Sequence, residues 1–444
     1  MSIPRTLVEA AAALRDGHLS AAELLEATLD AISRHDAPSH AFIRVDADAA
    51  RAAARAADAE RAKGVDHGPL HGLPVSLKDL IDVAGQPTTA ASRVCADHIA
   101  THDAAITTRL KNAGAVLIGK TNLHEFALGT TSDDSAYGPV LNPHDLTRSA
   151  GGSSGGAAVA VATGMGLAAV GTDTGGSIRI PAAACGVVGL KPSIEDVSTT
   201  GVIPLSTSLD HAGPLTRTVQ DAAWMWSILS GEPLHTVTAR PPGQLRVGVL
   251  GGYFDNPIDP VVRGAFAHAV ETLASAGVTV THCDFADAAA ITETYINLAL
   301  PEGAQWHGTW LDDRADLYSP IVHDRLLAGR KIPATAYIAA RYRRAQMKAA
   351  VDALLQSVDA LILPTLPLVA QVSGTPHVTI DGTTMLVRAA MLKHTQLFNI
   401  TGHPAISLPL SVSGLPVGLQ VVGAWGATPR LLDVAAACEA LVCR

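Results

Sequence analysis

A chain of 444 residues with 48% hydrophobic and 16% charged residues has the composition of a large globular enzyme, which excludes a disordered or fibrous protein. Its net charge of −9 argues against a nucleic-acid partner, which selects a basic face. The five cysteines (Cys95, Cys185, Cys283, Cys438, Cys443) are scattered and show no CxxC spacing. They point away from a disulfide framework or a zinc site and towards a reducing compartment.

The N-terminal stretch MSIPRTLVEAAAAL lacks a charged segment followed by a long apolar run, so no secretory signal is expected. No stretch approaches the ~20 apolar residues of a membrane span. The expectation is a soluble, cytoplasmic protein.

Residues 1–63 read as helical. Thr6 with Glu9, and Ser20 with Glu23, match capping boxes ahead of apolar-periodic runs, and Asp46–Lys63 reads as a third helix. From Pro69 short apolar strands alternate with helices. Leu73–Leu77, Ala115–Gly119, Leu167–Gly171 and Leu245–Leu250 read as strands, and Ala104–Asn112, Gly156–Thr163 and Thr218–Leu229 as helices. Residues 255–356, with the adjoining Phe254, hold most of the large aromatics and longer helices, and suit a cap whose aromatics wall a substrate pocket. Sheet-like segments return at Ala360–Leu363, Ala405–Leu408 and Val417–Val422, closed by a helix near Pro429–Leu441. The predicted fold is α/β: a single domain over 1–444, with a core formed by 64–254 and 357–444, helices flanking a mixed twisted sheet, and a helical cap over 255–356.

Three segments differ from core-building sequence. They are Leu73-Pro-Val-Ser-Leu-Lys78-Asp79, Gly151-Gly-Ser153-Ser154-Gly-Gly156, and Gly171-Thr-Asp173-Thr-Gly-Gly-Ser177-Ile-Arg179-Ile-Pro181. Glycine disfavours helix and strand interiors by roughly 0.5–1 kcal/mol against alanine. Clustered glycines around serines therefore suit backbone that presents N–H groups to developing negative charge. A phosphate loop would need a GxxxxGK[ST] lysine, which neither glycine segment supplies. Gly151–Gly155 matches GxSxG literally, but Asp145–Ala150 before it does not read as the strand that a nucleophile elbow follows.

A serine hydroxyl needs a base to become a nucleophile. A lysine kept neutral by burial can serve, and Lys78 at a strand end is placed for partial desolvation. A second serine can pass the proton between them.

Taken together, the three ordered segments resemble the amidase signature family. The likeness runs from about Leu70 to Arg217 and resumes at Leu363–Thr365 and Gly414–Gly423, and the 24-residue spacing from Ser153 to Ser177 also matches. The resemblance implies Ser177 as nucleophile, Ser153 (after a cis peptide bond from Gly152) as proton shuttle, and Lys78 as base. It implies an oxyanion hole of backbone N–H groups from Thr174, Gly175, Gly176 and Ser177, with Ser154, Asp173 and Arg179 in support. Gly129, Thr130 and Thr131 would bind substrate.

No cofactor and no metal are expected. His124 and Glu125 fail the HExxH formula, and His98 and His102 lack an acidic partner. The expected activity is hydrolysis of amide C–N bonds through an acyl-enzyme. The scarcity of basic clusters beyond Arg341, Arg343 and Arg344 favours aryl amides or urethane-type carbamates as the small-molecule partner. A homodimer is compatible with the sequence.

The alternative is the glutamine-hydrolysing component of a tRNA-dependent amidotransferase. Such a component needs an acidic residue for the α-amino group about ten positions before Gly402, where Leu392 stands with Lys393 and His394 beside it. A catalytically silent binding protein is the third reading, and the intact Lys78, Ser153 and Ser177 argue against it.

Overall fold

The computed structural model describes residues 4–443. Both capping boxes form: the Thr6 and Ser20 hydroxyls accept from the N–H groups of Glu9 and Glu23, whose carboxylates reach back to the cap N–H groups.

The strands follow in chain order. They are β1 (Phe42–Val45), β2 (Pro74–Lys78), β3 (Val116–Thr121), β4 (Leu141–Asn142), β5 (Asp145–Ser149), β6 (Ala168–Asp173), β7 (Val188–Lys191) and β8 (His211–Thr216). Beyond them lie β9 (Arg246–Leu250), β10 (Thr279–Cys283), β11 (Ala360–Pro364), β12 (His377–Ile380), β13 (Thr383–Leu386), β14 (Ala405–Pro409) and β15 (Gly418–Val422). Eleven of them form one sheet in the order β1-β3-β2-β6-β8-β7-β14-β15-β11-β9-β10, flanked by helices, while β4–β5 and β12–β13 are separate two-stranded ribbons.

The sheet is mixed. β3, β2 and β6 run parallel to one another, as do β11, β9 and β10, and the strands between them pair antiparallel. β2, β6, β11 and β15 are buried along their whole length, which is why they read as apolar runs without alternation, whereas the equally buried β7 and β8 carry no such run and do not read as strands in the sequence.

Three sequence expectations change, and one hairpin adds to them. Residues 1–63 are not wholly helical, because β1 pairs antiparallel with β3 at the sheet edge. Residues 255–356 are not wholly a cap, because β10 extends the sheet in parallel with β9 and helix Pro260–Ser275 packs on the core. The cap is left with helices Ile291–His307, Pro320–Arg330 and Ala334–Leu355 and the short turns between them. Asp145–Ser149 does form a strand, but one half of a ribbon outside the main sheet. Finally, β12 and β13 form a hairpin closed by Asp381-Gly382, both at positive φ.

All five cysteines are free. Among the described residues, no helix is long and apolar enough to cross a membrane.

Helices Ile291–His307 and Pro320–Arg330 touch where Gly329 meets the Leu300 carbonyl. A Cβ at 329 would sit 2.2 Å from that oxygen. Gly329→Ala is therefore expected to lower stability by about 2–3 kcal/mol, read as a shift of the urea unfolding midpoint. A midpoint matching that of the parent would refute the contact.

Candidate active site

Neighbouring parallel strands bring the three unusual segments together. β2 and β6 run side by side, so Lys78 at the end of β2 lies beside Thr172 and Asp173 at the end of β6. After β6 the chain turns through Thr174–Ile178 into helix Arg179–Cys185, and after Ser154 it enters helix Gly155–Thr163. The backbone N–H of Ser154 donates to the Ser177 carbonyl at 3.1 Å, which stitches the two loops together.

Lys78 is fully buried. Its Nζ donates to Ser153 Oγ at 2.7 Å, Ser154 Oγ at 2.9 Å and Thr172 Oγ1 at 2.9 Å. Ser154 Oγ in turn donates to the Thr172 carbonyl at 3.1 Å. Burial pushes the Lys78 ammonium down to about 7, against the opposing charges of Asp173 and Asp210. The peptide bond between Gly152 and Ser153 is cis. The Ser153 carbonyl accepts from the His124 N–H at 3.1 Å and from Ser132 Oγ at 3.2 Å. Next to Lys78, Asp79 forms a buried ion pair with Lys120 at 2.8 Å.

Ser177 is 5% exposed and joins this cluster through its backbone carbonyl. Among the described residues, the backbone N–H groups of Thr174, Gly175, Gly176 and Ser177 have no protein acceptor. Buried N–H groups are normally paired, so these four donors remain available to an acceptor from outside the protein. Gly176 adopts φ +138°, and a Cβ there would lie 2.3 Å from Thr395 Oγ1. The Thr395 hydroxyl also donates to the Gly175 carbonyl at 2.5 Å. On the preceding residue, Thr174 Oγ1 donates to Asp210 at 2.5 Å, and burial raises that carboxyl to about 6.

Below the loop, Arg179 and Asp173 form a fully buried, two-pronged ion pair, with Nη2–Oδ1 at 2.8 Å and Nε–Oδ2 at 3.0 Å. Asn399 donates to Asp173 Oδ1 at 2.8 Å, and Gln420 accepts from Arg179 at 2.6 Å. Burial would raise the Asp173 carboxyl, but the Arg179 charge and hydrogen bonds outweigh it and hold the group well below the usual carboxylate range.

A cavity of about 680 Å³ adjoins the loops. Gly129, Thr130 and Thr131 line one side of it, as does His124, whose ring packs on Gly129. Tyr295 and Leu392 line another side and close over Gly175. Two arginines also face it: Arg325 from helix Pro320–Arg330 and Arg388, just after the β12–β13 hairpin. Arg388 Nε is buried without a hydrogen-bond partner. Burial, reinforced by the Arg388 charge, lowers Arg325 to about 10. Asp133 and Asp134 line the cavity too; Asp133 is engaged, whereas Asp134 makes no hydrogen bond to the nearby His124 ring. Asp133 accepts from Ser373 and Gly374, and Asp134 lies 3.3 Å from His124 Nε2.

Lys78, Ser153, Ser154, Asp173, Arg179 and the Thr174–Ser177 loop therefore come together, with Gly129–Thr131 on the adjoining cavity. Two expectations about the pocket are corrected. Of the large aromatics in and beside 255–356, only Tyr295 lines the cavity, because Phe254 packs in the core and Trp306, Trp310 and Tyr318 gather around His307 and Phe126. Basic residues are not confined to 341–344: Arg325 and Arg388, 63 positions apart in sequence, meet at the cavity. Thr172, Asp210, Thr395 and Asn399 also join the site, and no local sequence signal distinguishes them from their neighbours.

A family model described as Amidase matches residues 23–432. The chain is 40% identical to an amidase of Pseudomonas putida, covering 92% of this chain and 89% of that one. It is 38% identical to one component of the glutamyl-tRNA(Gln) amidotransferase of Acidothermus cellulolyticus, covering 99% and 94% of the two chains. A crystal structure of an amidase superposes with a TM-score of 0.94 at 40% identity, covering 98% of this chain and all of the other.

Arg179→Ala would leave Asp173 buried without its charge partner, and a loss of about 3–5 kcal/mol in urea unfolding is expected. Arg179→Lys should recover little of it, since a point charge cannot replace the two-pronged contact. Asp173 is depressed, so the pair's contribution is present above the ordinary carboxylate range and is lost only as pH falls through the depressed value. A parent and an Arg179→Ala variant of equal stability at neutral pH would contradict this account.

Proposed function

This chain belongs to the Amidase family, and from that premise we propose a stand-alone serine amidohydrolase whose substrate carries an anionic group near the scissile carbonyl. In this reading Ser177 Oγ attacks the carbonyl carbon and its proton passes through Ser153 to neutral Lys78. The carbonyl oxygen, now negative, is received by the free N–H groups of Thr174–Ser177, each worth about 3 kcal/mol of barrier. Lys78 returns the proton through Ser153 to the departing nitrogen as the C–N bond breaks. Water then repeats the sequence on the acyl-enzyme and frees Ser177. Ser154 and Thr172 orient the Lys78 ammonium, while Asp173 and Arg179 brace the loop.

The observation that carries this reading is the 2.7 Å contact from a fully buried Lys78 to Ser153, beside four unpaired N–H groups. A lysine held near 7 is part neutral at neutral pH and can accept a proton. Ser177→Ala should abolish turnover while leaving the unfolding curve in place. The rate constant kcat should rise with pH through about 7 as Lys78 deprotonates, and Lys78→Ala should cost several orders of magnitude and remove that inflection. Retention of the inflection in Lys78→Ala would exclude Lys78 as the base.

The anionic group is inferred from the cavity. Two guanidinium groups share it, and the buried Arg388 Nε has no acceptor from the protein. A substrate carboxylate would supply that acceptor and relieve the repulsion between the arginines. Carboxylate-bearing amides or carbamates thus replace plain aryl substrates as the favoured class. Arg388→Ala should lower kcat/KM for such an amide by about 10–100-fold, the worth of one charge-assisted hydrogen bond. A neutral isostere should be far less affected, and equal losses on both would refute the subsite.

The likeness to an amidotransferase component supports glutamine hydrolysis as a second reading. Against it, the apolar Leu392 lines the cavity where an acid for the α-amino group is needed, and Asp133 is already bonded to Ser373 and Gly374. Comparison of glutamine with its analogue lacking the α-amino group separates the two. Preference for the analogue is expected here, and preference for glutamine would favour the amidotransferase role.

A further inference from the structure

Neither helical histidine spacing nor an HExxH pattern marks a metal site in the sequence. A different set of ligands meets on the connection from helix Ala47–Ala62 to β2. Glu60 lies in the last turn of that helix, and His67 and His71 follow in the irregular segment before β2. Their ligand atoms all lie within 4.8 Å of one another. Glu60 Oε2 stands 3.2 Å from His67 Nε2 and 3.1 Å from His71 Nε2.

We propose that Glu60, His67 and His71 form a binding site for a divalent transition-metal ion of zinc's class, separate from the amidase centre. Around zinc, bonds of about 2.0–2.2 Å place neighbouring ligand atoms of a tetrahedron about 3.3–3.5 Å apart. The two edges from Glu60 come within a few tenths of an ångström of that, and the edge between the two imidazole nitrogens lies within 4.8 Å. Two imidazoles and one carboxylate form a donor set that suits zinc.

Burial is graded across the site. The His71 side chain is fully buried, whereas those of Glu60 and His67 are 45% and 39% exposed. One ligand is thus held rigidly by the core, and the other two leave the fourth position open to solvent. His71 Nδ1 accepts from the His67 backbone N–H at 3.4 Å; binding an ion through Nε2 moves the ring proton to Nδ1 and turns it towards Asp66 Oδ1, 3.6 Å away. The ion clips the end of helix Ala47–Ala62 to the segment leading into β2, seven residues before Lys78. Its role is to secure that connection, and none of its ligands belongs to the amidase machinery.

The test uses the full-length chain stripped with a chelator and titrated with Zn2+ by calorimetry and with Co2+ by absorption. The expected result is one ion per chain, a Co2+ spectrum of nitrogen and oxygen ligands, and a rise in Tm on adding Zn2+. His67→Ala and Glu60→Gln alter exposed side chains, so both variants should fold and keep the parent's amidase activity. Each should bind at least tenfold more weakly and lose the Tm rise. Absence of binding at micromolar Zn2+, affinity unchanged in both variants, or a thiolate charge-transfer band placing the ion on a cysteine would each overturn the site.

Discussion

The buried ion pair of Asp173 and Arg179 is the contact on which the rest of the site depends. It joins the end of β6 to the first turn of the next helix, and through Asn399, Thr395 and Gln420 it ties both to the C-terminal part of the chain. Two charges removed from water are stable only when every prong is matched. Here Asp173 also accepts from the Ile178 N–H at 3.1 Å, so the intervening residues Thr174–Ser177 are bent into a loop with both ends held. The four unpaired N–H groups follow from that geometry, since a loop pinned this way cannot continue the ladder of β6.

Lys78 stands in the opposite situation. Its hydrogen bonds run to hydroxyl groups, and the carboxylates that raise it act only across a distance. Desolvation therefore prevails over charge attraction. The folded chain binds the Lys78 proton less tightly than the unfolded chain does, so stability falls as pH drops through the alkaline range towards 7, where the unfolded chain takes up the proton and the folded chain does not. A lowering of that size corresponds to several kcal/mol, which the paired network around Asp173 helps to offset. Stability and reactivity are thus divided between neighbours: one buried charge is fully matched, and the other is undermatched.

The cavity beside these loops has a related character. Asp133 is satisfied from within the protein, whereas Arg388 retains an unmatched donor that the proposed anionic substrate would complement. In the proposed mechanism the Ser-rich and Gly-rich loops serve any attackable carbonyl, and discrimination falls to the arginines and to Tyr295 and Leu392 above Gly175.

Much of the core could be read from the chain alone. Capping boxes, apolar runs and glycine–serine segments are local signals, because they record what the backbone does within a few residues. They located Lys78, Ser153 and Ser177 and most sheet strands. The Asp381-Gly382 hairpin also carries a local signal, a turn between alternating residues. Other features had no local trace. The polar β5 pairs only with a two-residue strand, and β1 and β10 are half-exposed edge strands that lack the apolar run of a central strand. Arg325 and Arg388 are ordinary surface-type residues in sequence, and only the packing of helix Pro320–Arg330 near the β12–β13 hairpin turns both towards one cavity. By itself the sequence determined the reaction machinery, which is built from short segments with strict backbone demands. The tertiary structure alone decided what that machinery faces, because a pocket wall is assembled from side chains whose only shared property is where the fold brings them.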